Sequence, residues 1–406
     1  MKSKKRIYLS SPNLMSIIWI LICIKVVIPS EMAISSFPHY LIMALVIVAT
    51  IMRISLGMVL DNREESILFL LFSALILLQF LGLLQVSTAF SFRNILATIC
   101  VYCFVDSLAF HIERIQIDYL RIPFFIAIVL VAIEALLNVN KGNFTPGCVV
   151  FLSASYVAAE YSVLPIEKGE VANSLYKQVE RVAFLRGTII ILLTAIICLL
   201  YDSRTSLLSL AVIAIVFLVL RYKKNISVVK LDVAFWLVIL ILLTLCVIYA
   251  NVRQYGWYER INAYSWLYFN KNLDTSRPVL WKSSFMSLSW WQRIVGAGTG
   301  KLPDIERYKN SSFHNTYLQL IMQNGIVGLV CLILIFWVLW KCITKHYNDT
   351  AQIVVLSTFI GVLVYNCFEV TLIQNKTFLG MIQWLVISIG MIRSHGLELA
   401  KTQDTE

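Results

Sequence analysis

Long apolar runs constrain this chain more than any other feature of its sequence. Segments such as 67–84 (ILFLLFSALILLQFLGLL) and 233–250 (VAFWLVILILLTLCVIYA) approach the roughly 20-residue length that a helix needs to cross about 30 Å of hydrocarbon. Of the 406 residues, 59% are hydrophobic and 14% are charged, whereas soluble domains are about 45–50% apolar and about 25% charged. Because backbone polar groups in lipid must be satisfied internally, the sequence predicts an all-α, polytopic membrane bundle.

The apolar runs divide the chain into twelve predicted membrane spans. These spans cover residues 13–30, 38–58, 66–86, 92–110, 122–139, 146–165, 183–201, 205–221, 231–250, 314–340, 352–368 and 377–393. They form an N-terminal set, 1–182, and a C-terminal set, 183–406, which contains one large outer loop, 251–313. The first run lacks the small-residue cleavage site of a signal peptide, so we expect it to stay as the first helix.

Lysine and arginine indicate the orientation in the membrane. Cytoplasmic ends of spans collect these residues, counted over short loops. With the N-terminus inside, the inner segments hold twenty of them, the short outer segments hold five and the loop 251–313 holds nine. Both termini are therefore expected in the cytoplasm. The net charge of +11 indicates orientation and attraction to anionic lipids, not nucleic-acid binding.

Sequence motifs for metals and cofactors are missing from the chain. Cys100 and Cys103 have CxxC spacing, but they lie in an apolar span without a second pair, which favours small buried residues over a zinc or redox site. There is no Walker loop, HExxH motif or acidic metal cluster. GAGTG (296–300) follows no strand, so we interpret it as a tight turn and not as a dinucleotide site. We expect neither a metal nor a cofactor.

The loop 251–313 differs from the rest of the chain in composition. Its 63 residues contain five tryptophans, five tyrosines, nine basic residues and four acidic ones. Aromatic faces can pack on sugar rings, and arginine forks can grip phosphate oxygens; the alternative is an aromatic belt at the membrane surface. Within this loop, 276–290 (SRPVLWKSSFMSLSW) is predicted to be a helix with Arg277 at its start and Pro278 in its first turn.

Three short motifs follow one another along the second half of the chain. They are SRTSLLSL (203–210), SRPVLW (276–281) and His314–Asn315, which is separated by nine residues from Gly325-x-x-Gly328. In this order and separation they resemble the shared core of bacterial O-antigen ligases and O-antigen or capsular polysaccharide polymerases, over about residues 185–393. Members of that family often have glycine after the first arginine, where this chain has Thr205.

The resemblance implies a membrane glycosyltransferase whose active site faces the periplasm from the bacterial inner membrane. Its donor would be a polyprenyl diphosphate-linked oligosaccharide, and it would need no cofactor. The acceptor would be a second glycan lipid: another lipid-linked repeat unit in a polymerase, or the lipid A core in a ligase. We favour the polymerase, because HNTYLQLIMQNGIVG (314–328) has a general resemblance to polymerases. The other implied partners are membrane lipids, a flippase and a chain-length regulator of the same pathway.

The chemistry of this transfer gives roles to particular residues. Breaking the bond between an anomeric carbon and a diphosphate leaves negative charge on phosphate oxygens, so the site needs preorganised cations, and Arg204 and Arg277 suit this role. An attacking sugar hydroxyl must lose its proton, and His314 can accept it. Direct displacement would invert the anomeric carbon. Further substrate contacts are predicted for Asn315, Trp281 and Arg293.

Several of these residues also have purely structural interpretations. His314 could lie at the start of a helix that Ser311 or Ser312 caps, and Arg204 could snorkel from a helix end. Asn315 could orient a substrate hydroxyl or bond the backbone, and both interpretations stay open. For Gly325 and Gly328 we favour close helix packing over substrate contact.

Ionisable residues inside or at the ends of the spans suggest a rival class, a transporter or flippase for a charged glycolipid. They are Lys25, Arg93, Asp106, Glu134, Glu160 and Glu369. Transporters often show internal repeats and broken helices in corresponding positions of two halves, and the sequence shows neither. The large outer loop also suits chemistry outside the membrane better than alternating access, so we favour an enzyme.

Overall fold

The computed structural model describes most of the chain as α-helix. It describes residues 12–28, 37–55, 63–86, 88–111, 121–137, 145–162, 170–223, 226–270, 272–274, 277–303, 312–373 and 377–403. The α-helices within these residues are α1 (Pro12–Val27), α2 (Phe37–Ser55), α3 (Arg63–Gly82), α4 (Ala89–His111), α5 (Arg121–Leu136), α6 (Thr145–Ser162), α7 (Glu170–Leu200), α8 (Arg204–Tyr222), α9 (Val228–Ala250), α10 (Tyr258–Phe269), α11 (Arg277–Met286), α12 (Trp290–Val295), α13 (Thr316–Thr344), α14 (Thr350–Tyr365) and α15 (Thr377–Gln403). One short 3-10 helix, Val252–Gln254, follows α9.

The prediction of an all-α, polytopic membrane protein is confirmed. Each of the twelve predicted spans overlaps one helix, α1–α9 or α13–α15, wherever the span lies in the described residues. Seven of the described helices are long and apolar enough to cross a membrane, namely α3, α4, α7, α8, α9, α13 and α15. Many apolar side chains on α7, α8 and α9 are exposed, for example Leu192, Ile215 and Leu240, as expected for surfaces that face lipid chains.

The helices of the two halves pack on one another within one bundle. Helix α13 lies against α3, α15 against α4 and α6, and α14 against α8. Aromatic rings contact one another in the core: the Trp384 ring is stacked 5.6 Å from that of Phe336 and meets that of Phe72 edge-on at 6.4 Å. The N-terminal set of helices, 1–182, and the C-terminal set, 183–406, therefore pack around one common core.

Ion pairs connect the helices at the end of the bundle where α8 terminates, away from Arg204. Lys341 Nζ lies 2.7 Å from Asp232 Oδ2, and Arg221 Nη2 lies 2.8 Å from Glu180 Oε1. Glu160, one of the ionisable residues that suggested a transporter, pairs here with Arg121. These contacts give the charges at this end of the spans a structural role.

The described residues of the outer loop contain three short α-helices besides the 3-10 helix, and one prediction about the loop is wrong. The helix predicted over 276–290 is two helices: α11 ends at Met286, and α12 begins at Trp290 with Ser289 as its N-cap in a capping box with Gln292. Ser289 interrupts the helix because its side chain accepts a hydrogen bond from the Gln292 amide instead of continuing the helical pattern. Ser276, the first residue of the predicted helix, lies outside the described residues.

The GAGTG segment joins the outer loop to the membrane helices. Gly296 and Gly298 both have positive φ values, 93° and 108°, which confirms the tight turn. The Thr299 hydroxyl donates to the Gln79 carbonyl oxygen at 2.7 Å, and Asn94 Nδ2 donates to the Thr299 carbonyl oxygen at 3.1 Å. The turn is thereby bonded to both α3 and α4.

Gly325 marks a kink inside α13 and confirms the expectation of close packing. Its φ is 67° and its ψ is −174°, and a β-carbon at this position would lie 2.0 Å from the carbonyl oxygen of Ile294. The backbone of α12 therefore lies directly against the kink. The packing partner is a helix of the outer loop, and not a neighbouring membrane span.

Candidate functional site

Three helix starts place the predicted site residues together. Arg204 is the first residue of α8, Arg277 is the first residue of α11, and His314 lies two residues before α13. Arg204 Nη1 donates to the Asn272 carbonyl oxygen and the Arg277 amide donates to the Asp274 carbonyl oxygen, so both arginines lie beside the segment 272–274. Helix N-termini present unpaired N–H groups and a partial positive charge. The arrangement therefore concentrates positive potential where an anion would be held.

Glu369 joins two of these residues. Its Oε1 accepts a hydrogen bond from Arg277 Nη2 at 3.2 Å, and its Oε2 lies 3.5 Å from His314 Nδ1. The Arg277 and Glu369 side chains are mostly buried, with 19% and 15% exposed. From the sequence, Glu369 was predicted only to be an ionisable residue at the end of a membrane span. Its position shortly after α14 gave no indication that it would face His314.

The backbone holds His314 in an unusual conformation. Its φ is 52°, in the left-handed region that few residues other than glycine adopt. The helix that follows is capped by Asn315, whose Oδ1 accepts a hydrogen bond from the Leu318 amide at 2.8 Å. Ser312 is therefore not the cap, and His314 lies outside the helix. Its side chain is 39% exposed, although Nδ1 itself is shielded from solvent and makes no hydrogen bond within the described residues.

A buried network fixes the two segments that carry His314 and Glu369. Asn315 Nδ2 donates to the Cys367 carbonyl oxygen at 2.9 Å, and the Thr316 hydroxyl lies 2.9 Å from the Glu369 carbonyl oxygen. The Thr316 amide donates to the Asn366 carbonyl oxygen at 2.9 Å. Several hydrogen bonds thus hold the start of α13 against the turn after α14, and they set the distance between the imidazole and the carboxylate.

Arg204 is positioned by the outer loop. Its Nη1 donates to the Ser265 hydroxyl at 2.8 Å and to the Asn272 carbonyl oxygen at 3.1 Å. The left-handed residue of this turn is Asp202, with φ 48°, and Thr205 is already helical. The turn therefore does not require glycine at the position after the arginine.

The three weaker substrate assignments lie in different surroundings. Asn315 is fully buried and uses its amide in the cap and the network described above, so the structure favours its backbone interpretation. Trp281 is 3% exposed, and its Nε1 donates to the Phe313 carbonyl oxygen at 2.7 Å. It supports the residue before His314 and presents almost no surface to a sugar. The Arg293 guanidinium lies 5.1 Å from the centre of the Phe285 ring, on α12.

An apolar cavity of about 310 Å³ lies in the bundle close to the site, and Phe368, the neighbour of Glu369, lines it. Tyr249, Trp281 and Phe368 line it near the outer surface, while Val212 and Val238 line it deeper between α8 and α9. Tyr249 also donates to the Asp274 carbonyl oxygen at 3.1 Å. The cavity therefore begins beside the segment that precedes Arg277.

The start of α11 is fixed by a second ion pair in the loop. The Asp274 side chain is buried and bonds Arg253, and this hydrogen bond raises the pKa of the Arg253 guanidinium. The Arg277 amide donates to the Asp274 carbonyl oxygen at 2.9 Å. In the described part of the chain, no group of three or more His, Cys, Asp or Glu residues is arranged so that it could hold a metal ion.

Comparison with known proteins tests the family resemblance. Residues 189–333 match the family model described as O-antigen ligase. That stretch contains Arg204, Arg277 and His314, and Glu369 lies beyond it. No curated protein matches the chain. The resemblance inferred from the three motifs is confirmed: the chain is a multi-pass membrane protein whose residues 189–333 match the O-antigen ligase family model.

Proposed function

We propose that the protein joins polyprenyl diphosphate-linked oligosaccharide repeat units on the outer face of the bacterial inner membrane, as an O-antigen or capsular polysaccharide polymerase. One observation carries the proposal: Arg204, Arg277 and His314 meet at three helix starts, with Glu369 between two of them. A diphosphate leaving group and a hydroxyl nucleophile need this combination of cations and a base.

The donor diphosphate would lie against Arg204 and Arg277. As the bond between the anomeric carbon and the diphosphate oxygen breaks, both electrons stay with that oxygen. The guanidinium groups and the N-termini of α8 and α11 would stabilise the added charge. Asp274, Ser265 and Asn272 keep the two arginines in place before the substrate arrives, so no reorganisation is needed during the reaction.

The acceptor hydroxyl would lose its proton to His314 as its oxygen bonds to the anomeric carbon. Because Nδ1 faces Glu369, the exposed part of the ring lies on the side away from Nδ1. In such a histidine–carboxylate pair the carboxylate orients the ring and stabilises the imidazolium that forms. Attack from the face opposite the diphosphate inverts the anomeric carbon in a single displacement.

The lipid tail of the donor would enter the apolar cavity beside the site. Helix α9 lines this cavity from Tyr249 to Val238, which corresponds to about 16 Å along a helix that rises about 1.5 Å per residue. A prenyl chain that follows these residues would leave its diphosphate at the mouth, near Tyr249 and the start of α11. The tail would then help to position the reacting bond.

Transfer in a defined system tests the proposal. Purified protein in vesicles would be given a labelled polyprenyl diphosphate-linked repeat unit, with no ion gradient. We expect longer lipid-linked glycans to form, also in the presence of a chelator. Movement of label across the membrane without bond formation would instead indicate a flippase, and activity lost to the chelator and restored by a divalent ion would contradict charge stabilisation by arginine alone.

The acceptor is tested by deleting the gene. The family description, O-antigen ligase, supports the alternative that the glycan is transferred to the lipid A core. A mutant lacking a polymerase would show core capped by one repeat unit. A mutant lacking a ligase would accumulate polymerised lipid-linked glycan and leave the core bare. Normal long chains in the mutant would contradict both.

A further inference from the structure

Asn272 connects Arg204 to an exposed tryptophan. Its carbonyl oxygen accepts a hydrogen bond from Arg204, and its side-chain oxygen accepts one from Trp266 Nε1 at 2.6 Å. Ser265, which precedes Trp266 in α10, bonds the same arginine. The indole therefore lies beside the hydroxyl and the carbonyl group that hold Arg204.

The Trp266 ring is both fixed and accessible. Its N–H is bonded within the protein, while 48% of the residue remains exposed. Asn262, one turn earlier in α10, secures Asn272 from the other side: its Nδ2 lies 3.4 Å from the same oxygen, and its own Oδ1 accepts from the Leu273 amide at 2.7 Å. A ring that is already immobilised loses little conformational entropy when a ligand packs on it.

We propose that Trp266 is a glycan subsite that packs against the sugar ring next to the donor diphosphate. The inference rests on the proposed function, because it assumes that Arg204 holds that diphosphate. The anomeric oxygen links the diphosphate directly to the first sugar, so that sugar must lie beside whatever surrounds Arg204. Sugar rings carry apolar C–H faces, and a tryptophan face offers a large apolar surface to cover one of them.

Other aromatic residues of the loop fit this role less well. Trp281 is almost entirely buried, and its Nε1 donates to the Phe313 carbonyl oxygen. Tyr268 is 74% exposed, but it is bonded to neither Ser265 nor Asn272, the residues that hold Arg204. A tryptophan that only anchored the loop at the membrane surface would turn its N–H towards lipid headgroups or water. The Trp266 N–H is directed to Asn272 instead.

A binding measurement with two defined probes tests the subsite. The probes are undecaprenyl diphosphate carrying one N-acetylglucosamine and undecaprenyl diphosphate alone, and His314→Ala protein is used so that no transfer occurs. We expect Trp266→Ala to weaken binding of the sugar-bearing probe about tenfold, equivalent to about 1.4 kcal/mol, and to leave the bare probe unchanged. Trp266→Phe should retain part of the effect, because it keeps an aromatic face. Tyr268→Ala, in the same helix, should bind both probes normally.

Three results would overturn the subsite. Trp266→Ala could weaken both probes equally, which would mean that the residue only supports Arg204. It could weaken neither, which would leave Trp266 as a membrane anchor. The sugar-bearing probe could also bind no more tightly than the bare one in the parent protein. Failure of the proposed function has a separate signature: Arg204→Ala would leave binding of the bare probe unchanged, and the subsite proposal would then fall with it.

Discussion

The left-handed backbone at His314 and the carboxylate of Glu369 together define how the imidazole is presented. Residues other than glycine in this region of φ are held there by their surroundings, often at functional sites. Here Asn315, Thr316 and the turn after α14 provide that constraint. The cost of an uncommon conformation is offset by bonds that also bring Glu369 within 3.5 Å of the ring.

Glu369→Gln tests whether the carboxylate contributes to transfer. Glutamine keeps the size of the side chain but removes the charge that orients Nδ1 and pairs with Arg277. We expect transfer to fall by about 10²-fold, at the lower end of the range for general acid–base groups, while Glu369→Asp retains more activity. Both rates would be measured with the vesicle assay at equal protein levels. Wild-type transfer by Glu369→Gln would show that the pair has no role in the reaction.

Arg204→Lys and Arg277→Lys test the geometry of the cationic pair. Lysine keeps the charge but loses the planar fork that can bind two phosphate oxygens at once. Each substitution should reduce transfer at least about tenfold, since a hydrogen bond to a charged group contributes about 1.5–3 kcal/mol. Arg260→Lys, in the exposed part of α10, serves as the matched control and should keep full activity. Equal activity in all three variants would contradict a bidentate role.

Sequence patterns located part of this site and missed the rest for identifiable reasons. Arg204, Arg277 and His314 occur in ordered motifs, so their meeting could be expected before the fold was known. Glu369 could not be, because the turn that brings it back to α13 depends on hydrogen bonds between distant segments. Nor does sequence reveal that Trp281 is covered by the chain before His314 while Trp266 stays exposed.

At the scale of elements, the length of the apolar runs was sufficient to predict the membrane helices. The kinks and breaks in the helices could be recognised only from the structure. The predicted spans coincide with helices because a run of about 20 apolar residues in lipid has few alternatives to a helix. The kink at Gly325 and the break between α11 and α12 arise from contacts made after the helices assemble. Both breaks lie at or next to α12, and they allow α12 to lie against α13.

Gly325→Ala is the prediction that belongs to this scale. The added methyl group would meet the Ile294 carbonyl oxygen, and alanine also disfavours the φ of 67° found here. We expect a loss of stability of about 3 kcal/mol or more, combining steric overlap and backbone strain. The measurement is the midpoint of thermal unfolding in detergent. Gly256→Ala, where nothing lies within 4 Å of the added carbon, should change it little, and an unchanged midpoint for Gly325→Ala would contradict the kink.

At the scale of the whole molecule, both ends of the bundle contain ion pairs, but their short segments differ in Lys and Arg content. Arg277 pairs with Glu369 at the site end, and Lys341–Asp232 and Arg221–Glu180 are pairs at the opposite end. The excess of Lys and Arg in the short segments at that opposite end predicts that it faces the cytoplasm. The site end would then face the periplasm, as the proposed function requires.

A matched pair of cysteine substitutions tests this orientation. Tyr268 in α10 and Tyr222 at the end of α8 are both strongly exposed, at 74% and 81%, and they lie at opposite ends of the bundle. A maleimide that cannot cross membranes should label Tyr268→Cys in intact spheroplasts and Tyr222→Cys only after lysis. The native cysteines are buried or half-buried, which keeps background labelling low. The reverse pattern would place the site in the cytoplasm.

The central claim is that His314 removes the proton of the attacking hydroxyl at a site built from three helix starts. Its most direct test is the rate of glycan transfer by His314→Ala protein in vesicles that contain the labelled lipid-linked donor. His395→Ala, at the other end of the bundle, is the control. We predict that His314→Ala inserts normally and forms no new glycosidic bond, while His395→Ala transfers at the wild-type rate. Full transfer by His314→Ala would contradict the account.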